Sequence, residues 1–312
     1  MTELVLEPLQ RLTKDLANAS TTLSVREARY LVDAYYMLQE NRISADHQVR
    51  TLNAGNEPHQ VIEWLADQNE GLENQIKRAL DKWTDANAIS RWAKSICGIG
   101  PVISAGLLAH IDIEKCPTVG HIWSFAGLDP TKKWLKGEKR PYNASLKTLT
   151  AFKLGESFVK VQSNENDVYG KVYVARKGIE QQRNDALMFA EQAKVGLERV
   201  KKTTDAYKHY KEGKLPPAQI HARARRYAVK LFLAHYQAAA YFDRFQMMPP
   251  FPYPFTHLLN HVHFLAPPNC ELIDGMPAAL ALYERELLAT ITERTKTAER
   301  RPDMPETTLL EG

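Results

Sequence analysis

No stretch limits the fold of this 312-residue chain as tightly as Gly98-Ile99-Gly100-Pro101. Ahead of it, Ile89, Trp92 and Ile96 recur at helical intervals. Behind it, Pro101 stands where a helix tolerates proline best, at a first position whose N–H would be unsatisfied anyway, and VISAGLLAHI continues as a second helix. Two helices must therefore turn on two glycines, in the manner of a helix-hairpin-helix. Such a turn has two uses. Glycines let packed helices approach closely, and the amides that open the second helix point outward, where a phosphate oxygen can sit. On Gly98, Ile99, Gly100 and Ser104 both readings are open.

The rest of the chain reads as helix. Ser24 and Glu27 have capping-box spacing, and Tyr30, Leu31, Ala34, Tyr35 and Leu38 follow at helical intervals until Asn-Ala-Gly-Asn-Glu-Pro breaks the pattern after Leu52. Val61, Ile62, Leu65, Leu72, Ile76, Leu80 and Trp83 mark a second long helix. Residues 1–86 thus form a helical hairpin that either packs within the chain or serves as a dimerising coiled coil, and a homodimer is expected. Over residues 87–246 we expect a short helix capped at Thr118 and stopped by a left-handed Gly127, and a helix from Ser145 to about Lys160. One long polar helix from Asp167 to about Tyr207 should extend as an arm, and a last strong helix should run from Ala218 to Phe245. Residues 247–312 open with Pro249, Pro250, Pro252 and Pro254 as an extended linker and end in a disordered tail after Ala298. No period-2 alternation is present, so the fold class is all-α.

The net charge of +4 says less than its placement. Lys132, Lys133, Lys136, Lys139, Arg140, Lys147 and Lys153 crowd one stretch that Glu138 and the preceding Asp129 alone oppose. A second block holds Lys201, Lys202, Lys208, Lys211, Lys214, Arg223, Arg225, Arg226 and Lys230, opposed by Asp205 and Glu212. Either block is a solvated helix face or a surface for a polyphosphate. In the first, Trp134 among lysines suits a stacked base with backbone contacts, and Arg140, Tyr142 and Asn143 add a planar cation, a ring and an amide, all usual in RNA readout. The other reading packs Trp134 into the core. Three scattered cysteines, Cys97, Cys116 and Cys270, indicate a reducing compartment, and no leader or eighteen-residue apolar span is present, so a cytoplasmic protein off the membrane is expected. His257 and His261 are one helical turn apart, with His235, His263 and Cys270 near in sequence, but they lack the intervening Glu of a zinc helix. Glu156, Glu165 and Asp167 share no fixed face. No metal site and no cofactor is expected.

Ala93 to Pro130, AKSICGIGPVISAGLLAHIDIEKCPTVGHIWSFAGLDP, resembles the C-terminal transposase domain of the RNA-guided DEDD transposases, with its GIGP turn, apolar helix, short helix and AGL.P ending. The likeness continues through the Lys-Gly-Glu-Lys-Arg loop and resumes at Asp167 to Tyr173 and at Ala222 to Ala240, which makes residues 178–214 an insertion. The same block is similar to the Nop domain of box C/D ribonucleoproteins, where a helical coiled coil precedes it. The Tas proteins of TIGR-Tas systems combine the two likenesses, holding a guide RNA that is directed to DNA. The resemblance implies guide RNA and target DNA as partners, and leaves open whether a separate nuclease joins them. The transposases carry four metal-binding carboxylates on an N-terminal fold and a serine nucleophile after AGL.P. Here the N-terminal region is helical, and Trp134 and Leu135 stand at the serine's place. Indole cannot be a phosphoryl-transfer nucleophile. No catalytic residue is expected, so the chain reads as a binding protein and not an enzyme. The alternatives are strand transfer from a relocated hydroxyl, Thr131 or Ser145, and plain DNA binding without RNA.

Overall fold

A computed structural model describes residues 13–55, 60–132, 134–257 and 264–300. Every regular element among them is helical, as the absence of period-2 alternation demands. None of these helices is long and apolar enough to cross a membrane. The chain divides into two compact units. Residues 1–94 and 100–112 make the first, and residues 95–99 and 113–312 the second, so the chain passes between them after Lys94, Ile99 and Asp112.

In the first unit α1 (Lys14–Ala19) leads to α2 (Val25–Ala54), α3 (Gln60–Asp85), α4 (Ala88–Ser95) and α5 (Pro101–His110). The capping box forms: the Ser24 hydroxyl accepts from the Glu27 amide at 3.3 Å, and the Glu27 carboxylate accepts from the Ser24 amide at 2.7 Å. Along α3, Ala66, Asn69, Glu73, Leu80 and Trp83 are buried at steps of three, four and seven, the spacing of a coiled-coil seam. The seam is polar in its middle, where Glu73 accepts from Arg42 at 2.8 Å and from Gln39 at 3.3 Å. At its base Ala28, Val32, Leu80 and Trp83 pack on Val102, Ala105 and Ala109 of α5. The hairpin thus closes on a helix of its own chain, while Val61, Leu65 and Leu72 on α3 remain exposed.

The second unit contains α6 (Val119–Phe125), α7 (Ala144–Lys147), a π-helical turn (Thr148–Leu154) that runs directly into α8 (Gly155–Val161), α9 (Tyr169–Asp185), α10 (Ala190–Arg199), α11 (Asp205–Lys211), α12 (Pro217–Phe245), α13 (Tyr253–His257) and α14 (Met276–Arg300). Its core is aromatic: Phe158 stacks on Tyr169 with centroids 4.9 Å apart, and both meet Phe232 edge-on. Tyr169 bonds His235 Nδ1 at 2.7 Å, and His235 Nε2 donates to the Leu265 carbonyl at 2.8 Å. Burial drops the imidazole to about 4, so it stays neutral. Gly127 stops α6 with φ of +64°, and the Leu128 amide reaches back to the Trp123 carbonyl at 2.8 Å.

Two expectations are corrected. The segment from Asp167 to Tyr207 is three helices and folds back instead of extending as an arm. Asn184 gives and takes a hydrogen bond with Leu215, at 3.0 and 2.8 Å, which closes the excursion. Within it Phe189, Ala193, Tyr210, Leu215 and Ile220 form a small core of their own. At the other end, α14 continues through Ala298 to Arg300, where a tail was expected to start; residues 301–312 lie outside the described residues.

Candidate nucleic-acid interface

The glycine turn separates its two uses between its two glycines. Gly98 has φ of +89°, and a Cβ there would lie 3.1 Å from the Ser157 hydroxyl and 3.2 Å from Val161. Its carbonyl accepts from Ser157, and the Ile99 amide turns inward to the Ile96 carbonyl at 3.0 Å. Gly98 and the buried Ile99 therefore serve packing. Gly100 is exposed with open space where a Cβ would stand, and its carbonyl takes the Ser104 amide at 3.0 Å. The amides of the first turn of α5 follow it, which the helix itself leaves unbonded. Ser104 belongs to neither use: it is buried and donates to the Ser90 carbonyl of α4 at 3.1 Å.

The basic loop after α6 is held open by its own side chains. Trp134 is 49% exposed, so the core-packing reading fails. Its indole N–H donates to the Glu138 carbonyl at 2.8 Å, across a turn in which Gly137 takes φ of +92°. The Arg140 guanidinium lies 4.8 Å from the Trp134 centroid and 5.8 Å from that of Tyr142. The Lys147 ammonium lies 4.2 Å from Tyr142. Gly127 lets this pile settle, since a Cβ there would come within 2.9 Å of both Tyr142 and Lys147. Rings and cations thus alternate in the series Trp134, Arg140, Tyr142, Lys147, with Trp134 at its end. Lys136 and Lys139 flank it, exposed, and Lys132 bonds the Ser124 hydroxyl. Asn143 caps α7, its side-chain oxygen accepting from the Leu146 amide at 2.9 Å. Lys133 lies outside the described residues.

The four cations expected on α12 divide. Arg223 donates to Glu180 at 2.6 Å, and that carboxylate, 1% exposed, is shared with Arg176 and Arg183. Burial raises the Glu180 carboxyl, but the Arg223 hydrogen bond and the charges of Arg176 and Arg223 outweigh it and hold the group below its ordinary value. Arg225 pairs with Glu156 and lies along Gly155, where a Cβ would meet its side chain at 2.7 Å. Arg223 and Arg225 therefore serve the packing of the helices around α12. Arg226 is exposed, and Lys230 lies over Trp123 at 4.4 Å, with the Trp123 indole donating to the Lys230 carbonyl at 3.0 Å. Burial pulls the Lys230 amine below its ordinary value; Asp129 opposes that pull and Arg226 adds to it. Lys230 thereby feels the Asp129 carboxylate at the start of the basic loop.

Asp129 also organises Thr131, accepting from its amide at 3.0 Å and its hydroxyl at 2.7 Å. Ser145, the other relocated hydroxyl considered, is exposed on α7. Of the acidic trio, Asp167 caps α9 through the Gly170 and Lys171 amides at 3.0 and 2.9 Å, and Glu156 is committed to Arg225. Among the described residues no histidine, cysteine or acid cluster could hold a metal ion. His257 stacks on Tyr253 at 4.0 Å, while His261 and His263 lie outside the described residues. The three cysteines are unbridged. Sequence reasoning missed Phe152, Arg176 and Tyr227, an exposed pair of rings and a cation whose significance lies in partners distant along the chain.

Comparison with curated proteins and with solved structures gives no match. Residues 90–134 match the profile of the Transposase IS116/IS110/IS902 family. The match begins in α4, spans the glycine turn, α5 and α6, and ends on Trp134 as the basic loop opens. The segment that builds the turn and launches the loop is thus transposase-related.

Proposed function

We propose that the chain is a nucleic-acid-holding protein, a ribonucleoprotein component that carries a short guide RNA and presents it to DNA without cutting. The observation that carries this reading is the pile of Trp134, Arg140, Tyr142 and Lys147, an open ring backed by cations at the point where the transposase-related segment ends. Exposed lysines beside an aromatic face supply the two ingredients of backbone tracking and base stacking. Arg226 and Lys230 extend the charge beyond the loop. The guide RNA, the target DNA and a separate nuclease rest on the resemblance to Nop-domain and Tas proteins, and a homodimer rests on the coiled-coil reading of the helical hairpin. The absence of cutting rests on Trp134 and Leu135 at the serine's place. Purification from the native host followed by sequencing of bound nucleic acid tests the reading. A discrete small RNA is expected; DNA alone would turn the reading to plain DNA binding, and no nucleic acid would end it.

One observation favours strand transfer as a second reading. The Thr131 hydroxyl donates to the Asp129 carboxylate at 2.7 Å within the transposase-related segment, and Lys230 feels the same carboxylate. A base beside a hydroxyl is the first requirement of an activated nucleophile. The same two residues also make an ordinary Asx turn, because the Thr131 amide shares the carboxylate. A covalent protein–DNA adduct lost in Thr131→Ala would establish transfer; its absence with Mg²⁺ and DNA leaves the turn as structure.

A further inference from the structure

We propose that the solvent face of α12 is a seat for a single strand of nucleic acid, with Phe152 and Tyr227 each stacking an unpaired base and Arg226 taking the phosphate between them. The inference rests on the nucleic-acid reading above and adds to it a second contact region and a strand class.

The placement follows from helix geometry. Ala224, Ala228, Val229 and Phe232 are buried, which sets the inner side of α12. Arg226 faces away from it, and residues 225 and 227 lie about 100° to either side. On one side Arg225 runs under Phe152, 5.3 Å from its centroid. On the other, Arg176 lies 4.5 Å from the centroid of Tyr227 itself. Both rings are open to solvent, Phe152 at 52% and Tyr227 at 42%. The same device thus occurs twice, a solvent-exposed ring lying against a guanidinium.

Each guanidinium is in turn fixed by an acid, Arg225 by Glu156 and Arg176 by the buried Glu180. Glu156 is further ringed by His221, whose Nε2 lies 3.7 Å away and whose Nδ1 bonds Tyr173 at 2.8 Å. Arg225 and Arg176 are thus engaged with acids, whereas Arg226 stands exposed on α12. The rings are held before any ligand arrives, which lowers the ordering cost of binding. The π-helical turn over Thr148–Leu154 carries Phe152, and π turns recur at functional sites because the extra residue re-aims side chains.

A strand with unpaired bases offers a flat π surface at each nucleotide and a phosphate between successive bases, which matches ring, arginine, ring. In a duplex those surfaces are already stacked and must be opened first.

Fluorescence anisotropy with labelled 12-mers of oligo-dT, oligo-U and a matched duplex tests the proposal on the full chain. Phe152→Ala with Tyr227→Ala should weaken single-strand binding by about tenfold or more for each ring while leaving the duplex and the salt slope unchanged. Phe152→Leu with Tyr227→Leu should lose nearly as much, since bulk is kept and the π face is gone. The deoxy and ribo strands report which sugar the seat takes. Unchanged single-strand affinity in both double variants, or equal loss on the duplex, overturns the seat while leaving the nucleic-acid reading standing. If the unaltered chain binds none of the three, seat and reading fall together.

Discussion

The loop from residue 131 to residue 147 and the arginine-rich start of α12 look alike in sequence and differ in use. In the loop, Arg140 and Lys147 meet rings, and Lys136 and Lys139 stand exposed beside them. On α12, Arg223 and Arg225 meet acids, and of the three clustered arginines Arg226 is left to solvent. The same residue type holds the protein together in one place and remains available in the other. What decides is the partner: a carboxylate consumes the charge, whereas a ring leaves the outward field intact.

The sharpest way to break this comparison is at Glu180. Glu180→Ala would strand three arginines around a buried site, and a loss of roughly 3 kcal/mol is expected in urea unfolding. Because the Glu180 carboxyl is held below its ordinary value, its contribution is complete above the usual glutamate range and disappears as pH falls through the lowered native value. The gap between variant and parent should therefore shrink as pH falls from about 7 towards 3; a gap independent of pH would remove the ion pair from the account.

Trp134→Ala addresses the other side. Its expected cost is roughly 1–3 kcal/mol in single-strand binding, read by titration, with stability unchanged within about 0.5 kcal/mol. A large fall in unfolding midpoint would make the loop a packing element after all. For Gly98→Ala the order reverses: positive φ and the approach of Ser157 predict about 1–2 kcal/mol of lost stability. Affinity measured well below the melting temperature should hardly move, and a selective loss of binding would return Gly98 to the phosphate grip. The smallest effect sharpens α12 itself. Arg226→Glu should lower affinity several-fold and reduce the salt slope by about one, with stability kept, whereas Arg223→Gln should chiefly destabilise. Equal behaviour of the two would erase the division.

Short-range features of the fold were legible. Ser24 with Glu27, Pro101 at the start of α5 and Gly127 at the end of α6 act within one turn of chain, where propensity and spacing speak directly. Partnerships across distance were not. Arg223 meets Glu180 across 43 residues and Arg225 meets Glu156 across 69, and nothing local distinguishes them from Arg226. The break after Asp185 escaped for the same reason, since the Asn184 side chain that stabilises it bonds Leu215, 31 residues on. Within the loop, composition pointed to Trp134 and Arg140, but their stacking, and the assignment of Asn143 to a helix cap, needed coordinates.

The three passages of the chain between its units have a practical consequence. A unit assembled from two separated stretches cannot be released by a single proteolytic cut, nor expressed as a simple N-terminal fragment. Residues 1–94 alone would lack α5 and leave Val32, Leu80 and Trp83 without the surface they cover. To isolate the hairpin intact, Lys94 must be spliced to a segment beginning at Gly100, and the glycine turn is where that splice would fall.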